Sequence, residues 1–319
     1  MIGHHDRIMP AVTNVVFLLV PKLHLLDLAG PAQVFFTAND LGYPYDQTYV
    51  AETEEIVTAQ GIPVRAELDW PELGPGDLVV VPGWRSPRLL PTPPIGPATK
   101  QRLRSHHAGG GSVASVCSGA DALGAAGLLD GRRYTTHHEL TDELAARYPK
   151  ATIVRDVLYV VDDRVITSAG IASGIDLALH LIAGEHGTEA AARVAREMVV
   201  YARRNGDELQ ESAMLRHRGH LSDLAHRVQD VIDSRYADRL LLSDLARGAG
   251  VSERTLTRIF TAATGLTPLR YQQLLRLERA EHLIGHGATV EAAARAVGFE
   301  DARMLRRLRS RPTAEQTAG

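Results

Sequence analysis

Over the first 200 residues, apolar positions alternate between two periods. Short Val-rich runs bounded by Gly, Pro or Asp predict buried strands at residues 15–20, 78–81, 112–116, 157–161 and 165–167. Between them, apolar residues at helical spacing predict helices at residues 28–41, 97–107, 120–128, 140–147 and 175–185. This alternation predicts an α/β layered fold with a mainly parallel sheet, whose functional sites lie beyond the carboxyl ends of the strands.

The pattern changes near residue 200. Residues 203–208 are polar and predict a linker, and strand-like runs cease after them. Helical spacing then recurs at residues 220–236, 241–249, 252–263, 269–284, 290–296 and 301–309. We therefore expect an all-α second domain. The predicted boundaries are residues 12–200 for the first domain, 201–219 for a linker, 220–311 for the second domain and 312–319 for a disordered tail.

A short helical unit occurs twice in the second domain. Each copy has a small residue inside a helix, a Gly at the end of that helix and a Leu in the next one. These residues are Ala246, Gly250 and Leu256 in the first copy, and Ala294, Gly298 and Leu305 in the second. The small residue permits close crossing and the Gly permits a sharp exit, which predicts two helix-turn-helix units. Ser252 is predicted to cap the second helix of the first copy.

Composition narrows the protein class. Apolar residues make up 45% and charged residues 23% of the 319 residues, as in globular proteins. No apolar run approaches a membrane span, and the N-terminus lacks the pattern of a signal peptide. The single cysteine excludes an internal disulfide framework and a cysteine-rich zinc site. We expect a cytoplasmic protein with no metal, no cofactor and no membrane partner.

Charge is distributed unevenly along the chain. Residues 1–200 carry 16 Lys+Arg against 23 Asp+Glu, whereas residues 201–319 carry 19 against 15, and all 19 are Arg. The planar Arg side chain suits phosphate and guanine, which favours a nucleic-acid module at the C-terminal end. A high-GC genome, which favours Arg codons, explains the same bias equally well.

The sharpest local motif is residues 112–120, where a strand leads into a helix of small residues with Cys117 at the junction. This is the pattern of a nucleophile elbow. The helix N-terminus is expected to lower the pKa of the thiol, and the Ser118 N–H is expected to face an oxyanion. The alternative is an inert buried cysteine.

Other segments are expected to meet Cys117. A strand ends at Gly83, whose N–H is a candidate second oxyanion donor. Asp27 opens the helix after the first strand, and it is a candidate both for a helix N-cap and for an acid near the cysteine, two roles that are compatible. His137 is a candidate base if the fold brings it, or His138, near the sulfur. A metal at these adjacent histidines is not expected.

Six segments resemble the ThiJ/PfpI superfamily, which has a class I glutamine amidotransferase-like fold. They are residues 27–31, 81–83, 116–119, 124–129, 135–137 and 168–176, within a match over about residues 12–200. The resemblance implies a flavodoxin-like three-layer sandwich with Asp27 as the acid and Cys117 at the elbow. His137 stands where many members carry a His. The most similar variant includes isonitrile hydratase, in which the acid and the cysteine are catalytic.

Residues 252–260, 265–271, 276–283 and 297–301 resemble the AraC/XylS-type DNA-binding domain, with a match over about residues 220–309. This implies two helix-turn-helix units, joined by a long helix at residues 269–284, that contact adjacent major-groove segments. The implied core positions are Leu256 and Phe260. The implied base-contacting residues are Arg254, Thr257 and Arg258 in the first unit, and Arg303, Met304, Arg306 and Arg307 in the second. Any single Arg is equally well explained as a phosphate contact or a solvated side chain.

The sequence departs from the AraC/XylS pattern near its end. Arg309 stands where the first unit has Phe260 and where the family has a core aromatic residue. Pro312 then ends the last helix, and the usual tail motif of the family is absent. We expect the second unit to pack less well than the first.

The two resemblances imply a transcriptional regulator that binds promoter DNA and a small-molecule effector. The expected effector site comprises Asp27, Gly83, Cys117, Ser118 and His137. A homodimer would place two DNA-binding domains on paired half-sites, and RNA polymerase is a possible partner. One alternative is a Cys117-dependent hydratase or hydrolase with a decayed C-terminal domain. Another is an oxidation sensor based on Cys117.

Overall fold

The structure is a computed structural model that describes residues 12–85, 89–170, 172–200, 205–207, 210, 217–285 and 288–309. The chain divides into two compact units, Met1–Gln210 and Glu211–Gly319. We call the first the α/β unit and the second the helical unit. The predicted tail at residues 312–319 lies outside the described residues, as does most of the predicted linker at residues 201–219.

The strands of the α/β unit are β1 (Thr13–Leu18), β2 (Tyr45–Val50), β3 (Glu55–Val57), β4 (Pro63–Arg65), β5 (Leu78–Val81), β6 (Ser112–Val116), β7 (Arg133–Tyr134), β8 (Thr152–Ile153), β9 (Tyr159–Asp162) and β10 (Val165–Ser168). Six of them form one sheet in the order β2-β1-β5-β6-β10-β9. Five are parallel and β9 is an antiparallel edge strand. The central strands β5 and β6 are almost wholly buried, because helices pack on the sheet.

The helices of the α/β unit are α1 (Leu25–Asp40), α2 (Pro97–Ala108), α3 (Gly119–Ala125), α4 (Thr141–Arg147), α5 (Ser173–His186) and α6 (Thr188–Glu197). Helices α1, α5 and α6 pack on one another, while α2 packs on α3 and β6. The predicted flavodoxin-like α/β fold with a mainly parallel sheet is thereby confirmed. The hydrophobic pattern of the sequence did not predict β2, α6 or the short strands β3, β4, β7 and β8.

The helical unit contains α7 (Asp223–Ser234), α8 (Leu242–Gly248), α9 (Glu253–Thr264), α10 (Pro268–Gly285), α11 (Val290–Ala296) and α12 (Ala302–Arg309). We call α8 with α9 the first head and α11 with α12 the second head; α10 is the predicted long connecting helix. The described part of this unit contains no strand, so the all-α prediction is confirmed. Nowhere in the described chain is a helix both long and apolar enough to cross a membrane.

The two heads have separate cores. The core of the first head includes Leu256, Phe260 and Tyr271, all fully buried, so the predicted core positions are confirmed. The core of the second head is smaller and richer in alanine. Its buried members are Ala280, Ala293, Ala294, Val297, Phe299, Leu305 and Leu308.

Candidate functional site

Cys117 stands at a sharp turn between β6 and α3. Its backbone adopts a φ of +56°, the left-handed region that a residue with a Cβ rarely occupies, and its N–H donates to the Ser168 carbonyl at 2.9 Å. The turn is tight because α3 begins against the end of β5: a Cβ on Gly119 would lie 2.2 Å from the Val81 oxygen. The strand–turn–helix elbow predicted for residues 112–120 is present.

Gly83 separates the acid from the cysteine. A Cβ at this position would lie 2.5 Å from Asp27 Oδ2 and 2.7 Å from Cys117 Cβ, so any side chain would collide with both. The Gly83 N–H donates to Asp27 Oδ2 at 3.2 Å. The prediction that this N–H is an oxyanion donor is therefore wrong for this arrangement, because the neighbouring carboxylate already accepts from it.

Asp27 is completely buried in the first turn of α1. The helix begins at Leu25, earlier than predicted, and its N-cap position is occupied by His24 in an extended conformation. The N-cap role predicted for Asp27 is therefore wrong, since the carboxylate lies inside the helix and points toward Gly83. A buried carboxylate at this place is consistent with the acid partner that the resemblance implies.

The thiol of Cys117 has a raised pKa. Burial is the main cause, and the negative charge of Asp27 is the second. A hydrogen bond from the Ser118 backbone acts in the opposite direction and is outweighed. The prediction of a lowered pKa is wrong, because the sequence indicated the helix N-terminus but neither the burial nor the adjacent carboxylate.

The Ser118 hydroxyl connects the elbow to the loop after β5. It accepts from the Trp84 N–H at 2.7 Å and donates to the Trp84 carbonyl at 3.1 Å. Both interactions are buried, so the side chain of Ser118 has a structural role. Its backbone N–H is the group that lies toward the sulfur.

His137 reaches the same place from the other side. A Cβ on Gly170 would lie 3.1 Å from His137 Cδ2 and 3.3 Å from Cys117 Sγ, which puts both side chains against this glycine. Gly170 has a φ of +150°, which L side chains rarely adopt. His137 Nδ1 accepts from the Glu139 N–H at 3.4 Å, and its ring packs on His138 at 4.2 Å between centroids. Of the two histidines, His137 is the one that lies at the elbow.

His137 is supported by contacts of its neighbour Thr136 that no sequence motif indicates. Thr136 Oγ1 donates to the Cys117 carbonyl at 2.9 Å. On its other side, the Gln210 amide donates to the Thr136 carbonyl at 2.9 Å and accepts from the His138 N–H at 2.9 Å. Residues 136–138 thus contact both Cys117 and the last residue of the α/β unit. No motif marks Gln210, so only the structure could identify it.

The described residues contain no group of three or more His, Cys, Asp or Glu side chains that could hold a metal ion. The side chains that meet at the elbow are a buried carboxylate, a protonated thiol and an imidazole, while the Gly83 N–H already donates to Asp27. These groups can hydrogen-bond a small polar molecule, and the thiol becomes a nucleophile only when it loses its proton.

The first head presents a polar helix face. The Ser252 hydroxyl accepts from the Thr255 N–H at 3.2 Å, which confirms the predicted cap of α9. Arg254, Thr257 and Arg258 line an open depression on the surface. Arg254 and Arg258 are exposed and have no ion pair with any residue that the structure describes. Their guanidinium groups are available to an anionic partner.

The arginines of α12, which include the predicted base-contacting arginines of the second head, each have a described contact. Arg303 lies 3.5 Å from Asp301, Arg306 pairs with Glu291, and Arg307 Nη2 lies 3.1 Å from Met304 Sδ. Arg309, at the position of Phe260, is on the surface and pairs with Glu281 at 2.9 Å. Leu308, one residue earlier, occupies the core instead.

The fold and the elbow together define the α/β unit as a flavodoxin-like domain with a cysteine at its nucleophile turn. Sequence comparison agrees: the DJ-1/PfpI family matches residues 13–184, and a helix-turn-helix domain matches residues 245–314. The chain belongs to the DJ-1/PfpI family, and it carries a helix-turn-helix domain of the AraC type after the family's fold.

Three known proteins illustrate the similarity. The HTH-type transcriptional regulator CdhR of Pseudomonas aeruginosa is 29% identical over 89% of this chain and 84% of its own length. An isonitrile hydratase of Pseudomonas putida is 32% identical over 53% of this chain and 70% of its own. The crystal structure of an AraC family transcriptional regulator from Pseudomonas putida matches 58% of this chain and 99% of its own at 24% identity, with a TM-score of 0.51. The last comparison concerns the fold alone.

Proposed function

We propose that the protein is a sequence-specific DNA-binding transcriptional regulator whose α/β unit senses a small molecule. The observation that carries the proposal is the first head, where Arg254 and Arg258 are exposed and unpaired among the described residues on a capped recognition helix. Similarity to a named regulator along 89% of the chain supports this function over an enzyme, because the hydratase is similar only over about half of it.

DNA binding is tested with the full chain on duplexes selected from a random pool. The Kd is measured over a salt series for wild type and for the double variant that carries both Arg254→Ala and Arg258→Ala. We expect weaker binding and a shallower salt dependence, by about one unit of slope for each lost phosphate contact. Arg227→Ala is the matched control, since Arg227 is an exposed arginine on α7 without a described partner. Equal losses in the control would argue against a specific reading face.

The effector site is proposed at Asp27, Gly83, Cys117, Ser118 and His137. The raised pKa of the Cys117 thiol favours a binding site over a nucleophilic enzyme, because at neutral pH only a small fraction of the protein carries a thiolate. We expect alkylation of this single cysteine to accelerate with pH beyond the ordinary range of a free thiol. Asp27→Asn removes a neighbouring negative charge, lowers the pKa and should accelerate alkylation at neutral pH. Turnover of an isonitrile that is lost in Cys117→Ala would instead support an enzyme.

A route from the effector site to the DNA-binding domain is proposed through residues 136–138. The supporting contacts are those of Thr136 with Cys117 and of Gln210 with Thr136 and His138, because the chain continues from Gln210 into the helical unit. The protein alkylated at Cys117 is used in place of the protein with an effector bound at this site. We expect alkylation to change DNA affinity in wild type and in the control Gln101→Ala, but not in Gln210→Ala. If alkylation changes the DNA affinity of Gln210→Ala as much as that of wild type, this route is excluded.

We also propose a cytoplasmic homodimer that binds paired half-sites, with RNA polymerase as a partner at promoters. The exposed apolar residues Leu26 and Phe36 on the outer face of α1 support a second copy of this chain as the occupant of that face. Light scattering of wild type and of Phe36→Asp tests the dimer. A wild-type monomer would contradict it.

A further inference from the structure

The two heads share a turn glycine but differ in what surrounds it. Gly250 in the first head and Gly298 in the second have φ values of +70° and +81°. A Cβ at Gly250 would have no atom within 4 Å. A Cβ at Gly298 would lie 1.8 Å from the Ala237 carbonyl oxygen. Conformation therefore explains both glycines, but only Gly298 is also required by a close backbone contact.

That contact joins the two heads. Ala237 lies in the loop between α7 and α8, and α7 packs in the core of the first head. Gly298 follows α11 of the second head. The turn of the second head thus rests directly on the loop that leads into the first head, at a separation that leaves no room for a side chain.

Arg276, on the connecting helix α10, fastens this contact. Its Nε donates to the Tyr236 carbonyl at 2.6 Å, and its Nη1 donates to the Gly298 carbonyl at 2.7 Å. Its Nη2 donates to the carbonyls of Ala237 at 3.2 Å and Asp238 at 2.6 Å. One guanidinium therefore bridges the loop that leads into the first head and the turn of the second head.

Phe299 packs against the arginine, and Gln272 binds the same loop. Its guanidinium lies 5.6 Å from the centre of the Phe299 ring, and the Gln272 amide donates to the same loop at 2.9 and 2.8 Å. Four of the five N–H donor directions of an arginine are used on carbonyls, so Arg276 has little left for a DNA phosphate. Because its donors are used within the protein, Arg276 has a structural role and is not expected to contact DNA.

We propose that Arg276, with Gly298 and the loop at residues 236–238, forms a joint that fixes the spacing between the reading helices α9 and α12. Arg276 is thereby a positioning residue for two-segment DNA recognition. The inference rests on the proposed DNA-binding function. A fixed joint matters because two linked heads gain affinity only when both segments are spaced for simultaneous contact.

The joint itself is tested without DNA. Spin labels are placed at Ala262→Cys on α9 and Arg303→Cys on α12 in a Cys117→Ser background, and labelled full chain is diluted into unlabelled chain. Double electron–electron resonance spectroscopy then measures the distribution of distances between the two labels. We expect one narrow distribution for the parent and for Gly250→Ala, and a broad one for Gly298→Ala. Equal widths in the two glycine variants would overturn the joint.

DNA binding gives the second test. Duplexes selected by the wild-type chain are compared with the same duplexes carrying two extra base pairs between the contacted segments. We expect the insertion to cost wild type and Gly250→Ala about 100-fold in affinity, the lower range of the gain from linking two sites. We expect Gly298→Ala to bind the original duplex more weakly and to lose most of the insertion penalty. An undiminished penalty in Gly298→Ala would overturn the positioning role.

Arg276→Lys tests whether the hydrogen bonds of the guanidinium or only its positive charge are needed. Lysine keeps the charge but concentrates its donors on one nitrogen, which cannot reach four carbonyls at once. We expect Arg276→Lys to behave like Gly298→Ala in both experiments; wild-type behaviour would overturn the role of the fork. If selection yields no specific duplex while the label distances still broaden, the proposed DNA-binding function fails and the joint stands.

Discussion

The two heads are built alike but carry charge differently. Each begins its second helix after a turn glycine and buries a leucine at the equivalent position, Leu256 and Leu305. Arg254 and Arg258 of the first head have no ion pair among the described residues, whereas Arg306 of the second pairs with Glu291. A phosphate can approach Arg254 and Arg258 directly, but at Arg303 and Arg306 it must compete with a carboxylate.

The cores differ in the same direction. Phe260 and Tyr271 meet edge-to-face in the first head, with centroids 5.8 Å apart. In the second head the position of Phe260 is Arg309, and small alanines fill much of the core. Aromatic pairs bury more apolar area, so the first head has more to stabilise it. The comparison indicates that a repeated architecture does not imply two equal contributions to binding.

The largest expected difference between the heads concerns stability. Phe260→Ala removes a fully buried ring and should cost about 3–5 kcal/mol. Arg309→Ala, at the equivalent position, removes a surface side chain and should change stability by less than about 0.5 kcal/mol. Calorimetry of the full chain, following the transition of the helical unit, measures both. Similar losses would mean that Arg309 contributes to a core after all.

A smaller difference is expected in DNA affinity. Arg258→Ala should weaken DNA binding by about 1–3 kcal/mol. Arg258 has no described ion pair to give up on binding, so its whole interaction with DNA contributes to affinity and is lost in the variant. Arg306→Ala should cost less, because Arg306 first has to give up its pair with Glu291. Fluorescence anisotropy at several salt concentrations measures both on one selected duplex. A larger loss for Arg306→Ala would reverse the assignment of the dominant head.

The fold was largely predictable because burial leaves a strong pattern. The strands β5 and β6 are continuous apolar runs with nearly every position buried, and their observed bounds match the prediction. The strand β2 was missed because its sequence, YDQTYV, is polar and only its ends are buried. The alanine-rich helix α6 was missed because it contains a single large aliphatic residue, Val194.

The site was predictable in its residues but not in its energetics. Asp27, Gly83 and Cys117 each lie in the segment that follows a parallel strand. The carboxyl ends of parallel strands lie at one edge of the sheet, which brings these segments together. The raised pKa of the thiol depends on burial and on a carboxylate from a distant segment, which no local motif encodes. Likewise, Gly250 and Gly298 are equivalent in sequence, and only the contact with Ala237 distinguishes them.

The smallest expected effect is the most specific for the comparison. If ion pairing weakens the second head, Glu291→Gln should strengthen DNA binding by releasing Arg306 and removing a negative charge near the DNA. An exposed pair contributes about 0.2–1 kcal/mol, so the gain should be of that order and should shrink at high salt. Glu281→Gln is the matched control, because its partner Arg309 is outside the predicted base-contacting set. Weaker binding by Glu291→Gln would mean that the pair positions Arg306 for DNA rather than competing with it, and the two heads would then be closer to equal than their charges indicate.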